Sequence, residues 1–479
     1  MSGLRRAGVL LPVFSLPSPY GIGAFGKAAF DFVDFLADAG QSLWQILPIG
    51  PSGASGSPYQ GLSVFAGNPD YIDLDLLEYE GFLKKGELKP LRDTTARAAR
   101  IGYALQDGLR PPLLLKAAAR FTACGDDADY DKFRADNAWW LDDFVKYASS
   151  AFGSPESGRH TKSPLRPSPG ETSVIQYFFH MQWLRLKRYA NARGVGIVGD
   201  LPFYTGAESA DYKAHPELFA VDADGAPRLI AGVPPDAFSA DGQVWNDPVY
   251  DWKEHARTGY DWWIRRFRQA DARYDLCRID HFRAFASYFA IPAGRPASDG
   301  EWVAGPGKKF IDAVKAAVPG LGVIAEDLGI ITDDVHALRE YSGYPGMRVL
   351  QFAFEPGEDS AYLPHNHVRD CVCYTGTHDN PTLAEWASKL PGPETAFARA
   401  YLGASAGNLP QAVTRAALGS VAGTVIVPLQ DYMGLGARAR VNKPSTVSAK
   451  NWTWRLMPGD LTAELAGHIR SLSLMYGRV

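Results

Sequence analysis

The sequence predicts an α/β fold: a single (β/α)8 (TIM) barrel with large, mainly helical insertions in its βα loops. Eight short apolar runs, rich in Val, Ile, Leu and aromatic residues, recur along the 479 residues, and helical patterns separate most of them. Three of these runs end in acidic motifs. A carboxylate is costly inside an apolar strand but not at its carboxyl end, and that end is where barrel enzymes place their active sites.

The predicted strands are bounded by Gly, Pro or polar residues, as short buried strands commonly are. In chain order they are Gly8–Phe14, Ser42–Leu47, Gly196–Asp200, Tyr274–Asp280, Gly322–Glu326, Arg348–Phe354, Cys371–Gly376 and Thr424–Leu429. Lys27–Ala39 has the period of an amphipathic helix, and Thr332 precedes two acids as a helix cap would. An open doubly wound sheet is the alternative, but Phe14-Ser15-Leu16-Pro17 is not the glycine-rich loop that follows its first strand.

Two long segments interrupt the alternation of strands and helices in a barrel that otherwise spans residues 1–479. Residues 50–193 separate the second and third strands, which is far too long for a simple loop. They contain helical patterns at Pro111–Phe121, Ala138–Phe152 and Ser173–Ala192, so we expect a mainly helical insertion. Residues 202–250 form a smaller insertion after the third strand, and it carries a loop at 232–245.

Composition argues against several functional classes. The net charge of −4 gives no basic footprint for nucleic acid, and no apolar stretch reaches the length of a membrane span. The four cysteines suit a reducing compartment, with no histidine pair beside them to indicate a metal site. The run after Arg5-Arg6 has the composition of a signal peptide, but it contains Pro12 and no cleavage pattern follows. We therefore expect a cytoplasmic protein.

Strand alternation places Arg278 and Asp280 on one face of the fourth strand, and Cys277 and Ile279 on the other. The apolar pair suits packing against the surrounding helices, whereas the charged pair suits the barrel mouth. A guanidinium beside Asp280 would favour the ionised carboxylate that a nucleophile requires. A structural ion pair at the strand end is the alternative interpretation.

Glu326 ends the fifth strand on the same face as Ile324. A carboxyl group near apolar neighbours and a second carboxylate has a raised pKa, as a general acid requires. Two carboxyl groups with opposite protonation cleave glycosides, and a separation of about 5–5.5 Å predicts retention of configuration. Asp327 competes for this role, because periodicity does not exclude it. Asp379, after His378, is the third acid, although His-Asp-Asn-Pro is also a good turn sequence.

The acidic motifs belong to a longer ordered series of signatures. The series is Trp44–Pro48, Gly56–Gln60, Gly199–Pro202, Gly232–Ser239, Arg278–Arg283, Ala325–Gly329 and Thr377–Pro381. In this series the chain resembles the 4-α-glucanotransferases of the amylomaltase (disproportionating enzyme) family, within the α-amylase clan. The resemblance runs from Pro17 to Arg455, which is nearly the whole chain.

The resemblance implies roles for residues at matching positions. Asp280 would be the nucleophile, Glu326 the general acid/base, and Asp379 the residue that stabilises the transition state. The residues implied to contact or support the substrate are Tyr59, Asp200, Asp236, Phe238, Trp245, Arg278, His281, His378 and Asn380. The resemblance implies neither cofactor nor metal. The expected partners are malto-oligosaccharides and α-1,4-glucans, with glucose as an acceptor.

The segment 232–245 resembles the family's loop over the acceptor sites, where Asp236 and Phe238 would favour attack by sugar over water. A rigid, proline-anchored surface loop is the alternative. Two positions depart from the family pattern. Asn246-Asp247-Pro248 stands where relatives commonly have Gly-Asn-Pro, which leaves acceptor preference open. Ser445 replaces a usual glycine, and we expect a local change of backbone there.

Three other functions compete with glucan transfer. The acids do not separate a transferase from an α-glucan hydrolase on the same scaffold, although the loop over the acceptor sites favours transfer. A catalytically inactive glucan-binding protein would be expected to lack an acid, and all three are present. A barrel enzyme acting on sugar phosphates is the last hypothesis, but Gln430–Gly434, with one glycine and one acid, suits phosphate poorly.

Overall fold

Parallel strands close into a barrel in the computed structural model, which describes residues 5–53, 55–151, 167–235, 241–329, 331–405 and 407–479. The strands of these ranges are β1 (Arg6–Leu10), β2 (Leu43–Gln45), β3 (Gly196–Leu201), β4 (Leu229–Val233), β5 (Gln243–Pro248), β6 (Leu276–Ile279), β7 (Ser287–Pro292), β8 (Glu301–Ala304), β9 (Gly322–Ala325), β10 (Gly346–Val349), β11 (Cys371–Tyr374) and β12 (Thr424–Pro428). The barrel order is β1-β2-β3-β6-β9-β10-β11-β12, and β12 pairs with β1 to close it. The predicted (β/α)8 barrel is therefore confirmed.

Each predicted strand overlaps one barrel strand, and in two of them the predicted end lies more than two residues beyond the observed end. The first strand ends at Leu10, because Pro12 has no N–H for the ladder and a 3₁₀ turn follows at Val13–Ser15. The sixth strand ends at Val349, where the chain turns into a 3₁₀ helix at Leu350–Phe352. Apolar runs continue past both ends because the turns are also buried, so hydrophobicity alone does not mark the end of the strand.

Helices surround the barrel and fill the first insertion. In the described ranges they are α1 (Lys27–Asp38), α2 (Leu74–Tyr79), α3 (Lys89–Thr95), α4 (Tyr103–Ala123), α5 (Ala128–Ala151), α6 (Pro169–Ala192), α7 (Ala210–Ala214), α8 (Trp252–Arg257), α9 (Asp261–Arg273), α10 (Gly307–Ala317), α11 (Asp333–Ser342), α12 (Leu383–Lys389), α13 (Gly392–Leu402), α14 (Leu409–Gly419), α15 (Leu429–Tyr432) and α16 (Ala463–Met475). Helices α2 to α6 lie between β2 and β3. Thr332 stands at the N-cap of α11, but its hydroxyl donates to Asp334 instead of capping the backbone.

A four-stranded antiparallel sheet stands beside the barrel, in the order β5-β4-β7-β8. It joins residues 229–248 of the smaller insertion to residues 287–304, which follow the fourth barrel strand. The sequence alone did not predict this sheet, because its strands are short and because the pairing of β4 with β7, which joins its two halves, links residues 57–63 positions apart in the chain. Through Gln243–Asp247 of β5, the sheet contributes to the cleft at the mouth of the barrel.

Two apolar clusters separate the inside of the barrel from the outside. Inward side chains form a small cluster of Leu10, Leu43, Val198, Leu276, Ile324, Met347, Val349, Val372, Tyr374 and Ile426. Cys277 and Ile279 belong instead to the large cluster between strands and helices, as their predicted face requires. Alternation then directs Arg278 and Glu326 inward, above Leu276 and Ile324. In the described part of the chain, no helix has the length and apolar character needed to cross a membrane.

Candidate active site

A large cleft opens over the carboxyl ends of the barrel strands, with a volume of about 2010 Å³. Asp280, Glu326 and Asp379 line it together, although they follow three different strands. The side chain of Asp280 is 30% exposed and that of Asp379 is 43% exposed, so both are accessible from the cleft. The barrel thus brings together three carboxylates that are 99 residues apart at their extremes in the chain.

Arg278 links two carboxylates at the bottom of the cleft. Its Nη1 donates to both oxygens of Asp200 at 2.8 Å, and its Nη2 donates to Asp280 Oδ1 at 2.8 Å. Burial opposes the charge of Arg278, but the two carboxylates raise its pKa well above the usual value. The cation therefore remains charged and holds one oxygen of Asp280, which leaves the other oxygen free to face the cleft.

Asp200 lies behind Arg278 and not on the cleft surface. Its side chain is 0% exposed, and its Oδ2 also accepts a hydrogen bond of 2.7 Å from the Tyr59 hydroxyl. Burial raises the pKa of Asp200, and the charge of Asp280 adds to this, while Arg278 opposes both. The structure thus gives Asp200 contact with Arg278 and Tyr59, both of which line the cleft in front of it.

Both oxygens of Glu326 accept backbone hydrogen bonds. His281 N donates to Oε2 at 2.7 Å, and Leu328 N donates to Oε1 at 2.9 Å. His281 has the left-handed φ of 51°, which is rare for a residue other than glycine, and in this conformation its N–H faces Glu326. Burial raises the pKa of Glu326 to about 7, and the nearby charge of Asp280 acts in the same direction. This carboxyl group therefore exchanges its proton near neutral pH.

Asp327, the competitor of Glu326, is directed away from the cleft. Its side chain is 1% exposed; Met347 N donates to its Oδ1 at 2.7 Å, and its Oδ2 lies 3.2 Å from Arg339 Nε and 3.5 Å from Arg348 Nη1. Burial raises the pKa of Asp327, and the two arginines oppose that shift. Asp327 fixes β10 against β9 and has no access to the cleft.

Asp379 is held by the loop that follows β12. Asn442 Nδ2 donates to its Oδ1 at 2.7 Å, and Arg440 Nη2 donates to its backbone oxygen at 2.7 Å. Its Oδ2 lies 3.3 Å from His378 Nε2. Burial favours the neutral acid, but His378, Asn442 and Arg278 outweigh it and lower the pKa of Asp379 to about 2. Asp379 is therefore ionised at neutral pH.

Aromatic rings form one side of the cleft. Tyr59 and His378 are stacked, with ring centroids 5.1 Å apart and an interplanar angle of 16°. Trp452 approaches both rings, at 6.0 Å from Tyr59 and 5.8 Å from His378. Neighbouring Asn380 accepts hydrogen bonds from the N–H and hydroxyl of Thr377, so this predicted site residue also fixes its own turn. Flat rings of this kind suit the apolar face of a sugar.

The opposite side of the cleft comes from β5 and the loop after β3. Trp245 meets His281 edge to face, with centroids 5.1 Å apart, and Tyr204 packs edge-on to Trp245 at 6.0 Å. Burial lowers the pKa of His281 to about 4, so its ring is neutral near pH 7. Asp236 and Phe238, predicted to act from the loop between β4 and β5, lie outside the described residues.

The two departures from the family pattern both adopt left-handed backbone conformations. Asn246 has a φ of 64° and Ser445 a φ of 56°. Ser445 takes up a conformation that favours glycine, and the expected local change of backbone there stays a prediction. Asparagine tolerates this region better than most residues, so Asn246 is also compatible with a position suited to glycine.

A family model for 4-alpha-glucanotransferase matches residues 11–462 of the chain. This chain belongs to that family. The 4-alpha-glucanotransferase of Streptococcus pneumoniae serotype 4 is 42% identical, with 99% of this chain and 98% of the relative covered. The 4-alpha-glucanotransferase of Thermus thermophilus is 39% identical over 98% of both chains. The chain is accordingly an enzyme of the 4-alpha-glucanotransferase type, as the sequence predicted.

Solved structures of 4-alpha-glucanotransferases of the amylomaltase type resemble the whole fold. The amylomaltase of Streptococcus agalactiae, solved in complex with acarbose, has a TM-score of 0.90 and 35% identity, covering 99% of both chains. The amylomaltase of Corynebacterium glutamicum has a TM-score of 0.79 over 99% of this chain and 74% of its own, at 18% identity, and supports the fold alone.

Several residues of this transferase's cleft were not predicted as site residues. Asn442 and Trp452 lie near the end of the chain, and nothing in their local pattern indicates contact with Asp379 or Tyr59, about 60 and 390 residues away. Tyr204 follows the third strand and lines the cleft with 8% exposure. Its position directly after a barrel strand was the one feature of the sequence that could have indicated a place in the cleft.

Proposed function

We propose that this chain transfers a segment of an α-1,4-glucan from a malto-oligosaccharide to the 4-hydroxyl of glucose or of another glucan. The observation that carries the proposal is the different environment of two carboxyl groups that line one cleft. Burial raises the pKa of Glu326 to about 7, whereas Asp280 accepts a hydrogen bond from the guanidinium of Arg278. Retaining glycoside chemistry requires this division of roles between an acid and a nucleophile.

In the first step, Asp280 attacks the anomeric carbon of the donor sugar. Glu326 gives its proton to the glycosidic oxygen, so that the bond breaks and the shorter glucan leaves with a new hydroxyl. The sugar that remains is joined to Asp280 as a glycosyl ester. Arg278 keeps the second carboxylate oxygen of Asp280 in place during the attack.

In the second step, the 4-hydroxyl of an acceptor attacks the anomeric carbon of the glycosyl ester, and the bond from that carbon to the Asp280 carboxylate breaks. Glu326, now ionised, takes the proton of that hydroxyl and returns to its starting state. Two inversions at one carbon give net retention, so the new bond is again α-1,4. If water attacks instead, the same steps give hydrolysis. The catalytic carboxyl groups therefore do not determine the ratio of transfer to hydrolysis.

The remaining cleft residues bind the donor sugar and its transition state. Asp379 has a pKa of about 2, so it stays ionised and stabilises the positive charge that develops on the sugar ring. The Tyr59 and His378 rings stack, which provides a platform beside Asp379. A cleft of about 2010 Å³ accommodates several glucose units. Carboxyl groups perform every proton and carbon transfer in this scheme, so the chemistry requires neither metal nor cofactor.

A ladder of products from maltotriose tests this proposal. Wild-type protein should form both glucose and longer oligomers while the number of reducing ends stays constant. Asp280→Asn should lower the rate on the order of 10⁴-fold or more, because the amide cannot form the glycosyl ester. A rising number of reducing ends without longer products would instead identify an α-glucan hydrolase, and no turnover of maltotriose or maltoheptaose would favour a glucan-binding protein.

A further inference from the structure

Residues of β5 form one wall of the cleft. Gln243, Trp245 and Asp247 all line it, and Trp245 Nε1 donates to Gln243 Oε1 at 3.2 Å. Through Trp245 this wall contacts His281, the residue that follows Asp280. Asp247 is the acidic residue among these three, and it takes part in neither step of the proposed reaction.

Asp247 has no partner within the described part of the protein. It is half-buried and lines the cleft, but its carboxylate forms neither a hydrogen bond nor an ion pair with any described residue. Desolvation raises the pKa of Asp247 to about 7, and no nearby cation opposes the shift. A carboxylate that supports a fold is normally paired, so an unpaired one in a cleft suggests that a ligand supplies the hydrogen bonds.

The geometry of the acid/base places the acceptor on this wall. Glu326 protonates the leaving oxygen and deprotonates the incoming hydroxyl, so the acceptor sugar occupies the side of the cleft next to it. His281 connects the two features, because its N–H donates to Glu326 and its ring contacts Trp245. The stack of Tyr59 and His378 lies on the other side, beside Asp379.

We propose that Asp247 binds the acceptor sugar directly and sets which acceptor the enzyme prefers; this rests on the transfer reaction proposed above. Trp245 packs on the sugar ring, and the Asp247 carboxylate accepts hydrogen bonds from the acceptor's hydroxyl groups. An acceptor with an ammonium group gains an ion pair in place of a hydroxyl contact. The cleft then prefers an amino sugar such as glucosamine to glucose. This preference is weaker when an amide replaces the carboxylate at position 247.

Kinetics with two acceptors test this assignment. Wild type, Asp247→Ala and Asp247→Asn are given maltoheptaose as the donor and labelled glucose or labelled glucosamine as the acceptor, and labelled longer glucans are counted. In Asp247→Ala, the KM for glucose should rise about tenfold through loss of a charge-assisted hydrogen bond. In both variants, the ratio of kcat/KM for glucosamine to that for glucose should fall about tenfold, because the charge is lost. Glu355→Gln, which removes another charge lining the cleft, should leave the ratio unchanged.

Thermal unfolding at pH 8 separates ligand binding from a structural role. The folded pKa of Asp247 lies above its unfolded value, so at pH 8 the ionised group destabilises the fold and Asp247→Asn should raise Tm. A lower Tm in this variant would show a structural carboxylate and overturn the assignment. Unchanged acceptor kinetics in variants that still transfer would overturn it as well, while leaving the transfer reaction intact. Failure of wild type to make longer glucans would overturn both proposals.

Discussion

At the scale of single residues, Glu326 and Asp327 show how position decides chemistry for two adjacent acids. Glu326 faces the cleft with backbone N–H groups on both oxygens, and its pKa lies near 7. Asp327 points between two strands towards Arg339 and Arg348. The first group has a proton to exchange with a substrate, and the second stabilises the barrel.

Substitution of each acid by its amide should separate these roles. We expect Glu326→Gln to lower kcat by about 10²–10⁴-fold with little change in stability, because general acid–base catalysis is lost. Asp327→Asn should retain most activity per folded molecule and change the free energy of unfolding by no more than about 1 kcal/mol, because the burial that raises the pKa of Asp327 offsets the loss of its contacts with Arg339 and Arg348. Steady-state rates and urea unfolding of both variants measure this, and an inactive but stable Asp327→Asn would contradict it.

The pKa of Glu326 also predicts the alkaline limit of activity. The acid must carry its proton when the donor binds, and burial holds its pKa at about 7. Activity should therefore fall as pH rises through about 7, by tenfold for each further pH unit. The profile of kcat/KM for maltotriose from pH 5 to pH 9 measures this limit, and a profile that stays level to pH 9 would exclude Glu326 as the acid.

At the scale of elements, strands deliver the reacting groups and irregular segments complete the walls. Arg278 and Glu326 project from the inward faces at the ends of β6 and β9, where pairing with neighbouring strands fixes the backbone. Trp245 comes from the antiparallel sheet, and Trp452 from the loop after β12. Reaction geometry thus depends on the rigid barrel, and substrate preference depends on the added segments.

Helix α6, in the first insertion, begins with a capping motif whose contribution to stability can be measured. Ser168 Oγ accepts a hydrogen bond from Glu171 N, and the Glu171 carboxylate accepts one from Ser168 N, which forms a complete capping box. Ser168→Ala should lower the free energy of unfolding by about 1 kcal/mol. Ser168→Asp retains a capping oxygen and serves as the control. Equal urea midpoints for wild type and Ser168→Ala would show that the cap contributes nothing measurable.

At the scale of the whole molecule, Arg478 stabilises the pairing of the two strands that close the barrel. Arg478 is completely buried and donates to the carbonyl oxygens of Arg6, Leu418, Ser420 and Ala422. These groups belong to β1 and to the segment that enters β12, the two strands whose pairing closes the sheet. Burial lowers the pKa of Arg478 to about 10, which still leaves it charged at neutral pH.

Removal of this guanidinium should lower the stability of the whole barrel. We expect Arg478→Met to lower the free energy of unfolding by about 3 kcal/mol, because the carbonyl groups of Arg6 and Ala422 lose the guanidinium and those of Leu418 and Ser420 keep only Arg5 as a side-chain donor. Arg5→Met is the matched control, since Arg5 reaches two of the same carbonyls from a half-buried position. A smaller loss is expected there. Calorimetry of both variants tests the difference, and a larger effect at Arg5 would contradict it.

The sequence by itself determined the barrel strands and the faces of their side chains. Both are local properties: an apolar run of a few residues indicates a buried strand, and a period of two assigns Arg278 to the opposite face from Cys277. The three acids at strand ends, and the ordered signatures around them, were equally visible along the chain. The family resemblance that these signatures carried was then confirmed by the comparisons.

The tertiary structure alone decided which groups face each other beyond the strand ends. Periodicity stops where a strand stops, so the choice between Glu326 and Asp327 depended on contacts with β10. Asp200 proved to lie behind Arg278, and Asn442 to hold Asp379, through pairings that span 78 and 63 residues. The pairing of β4 with β7, which joins the two halves of the antiparallel sheet, spans a similar distance. The local sequence does not indicate such contacts, because residues far apart in the chain meet only when the whole chain packs.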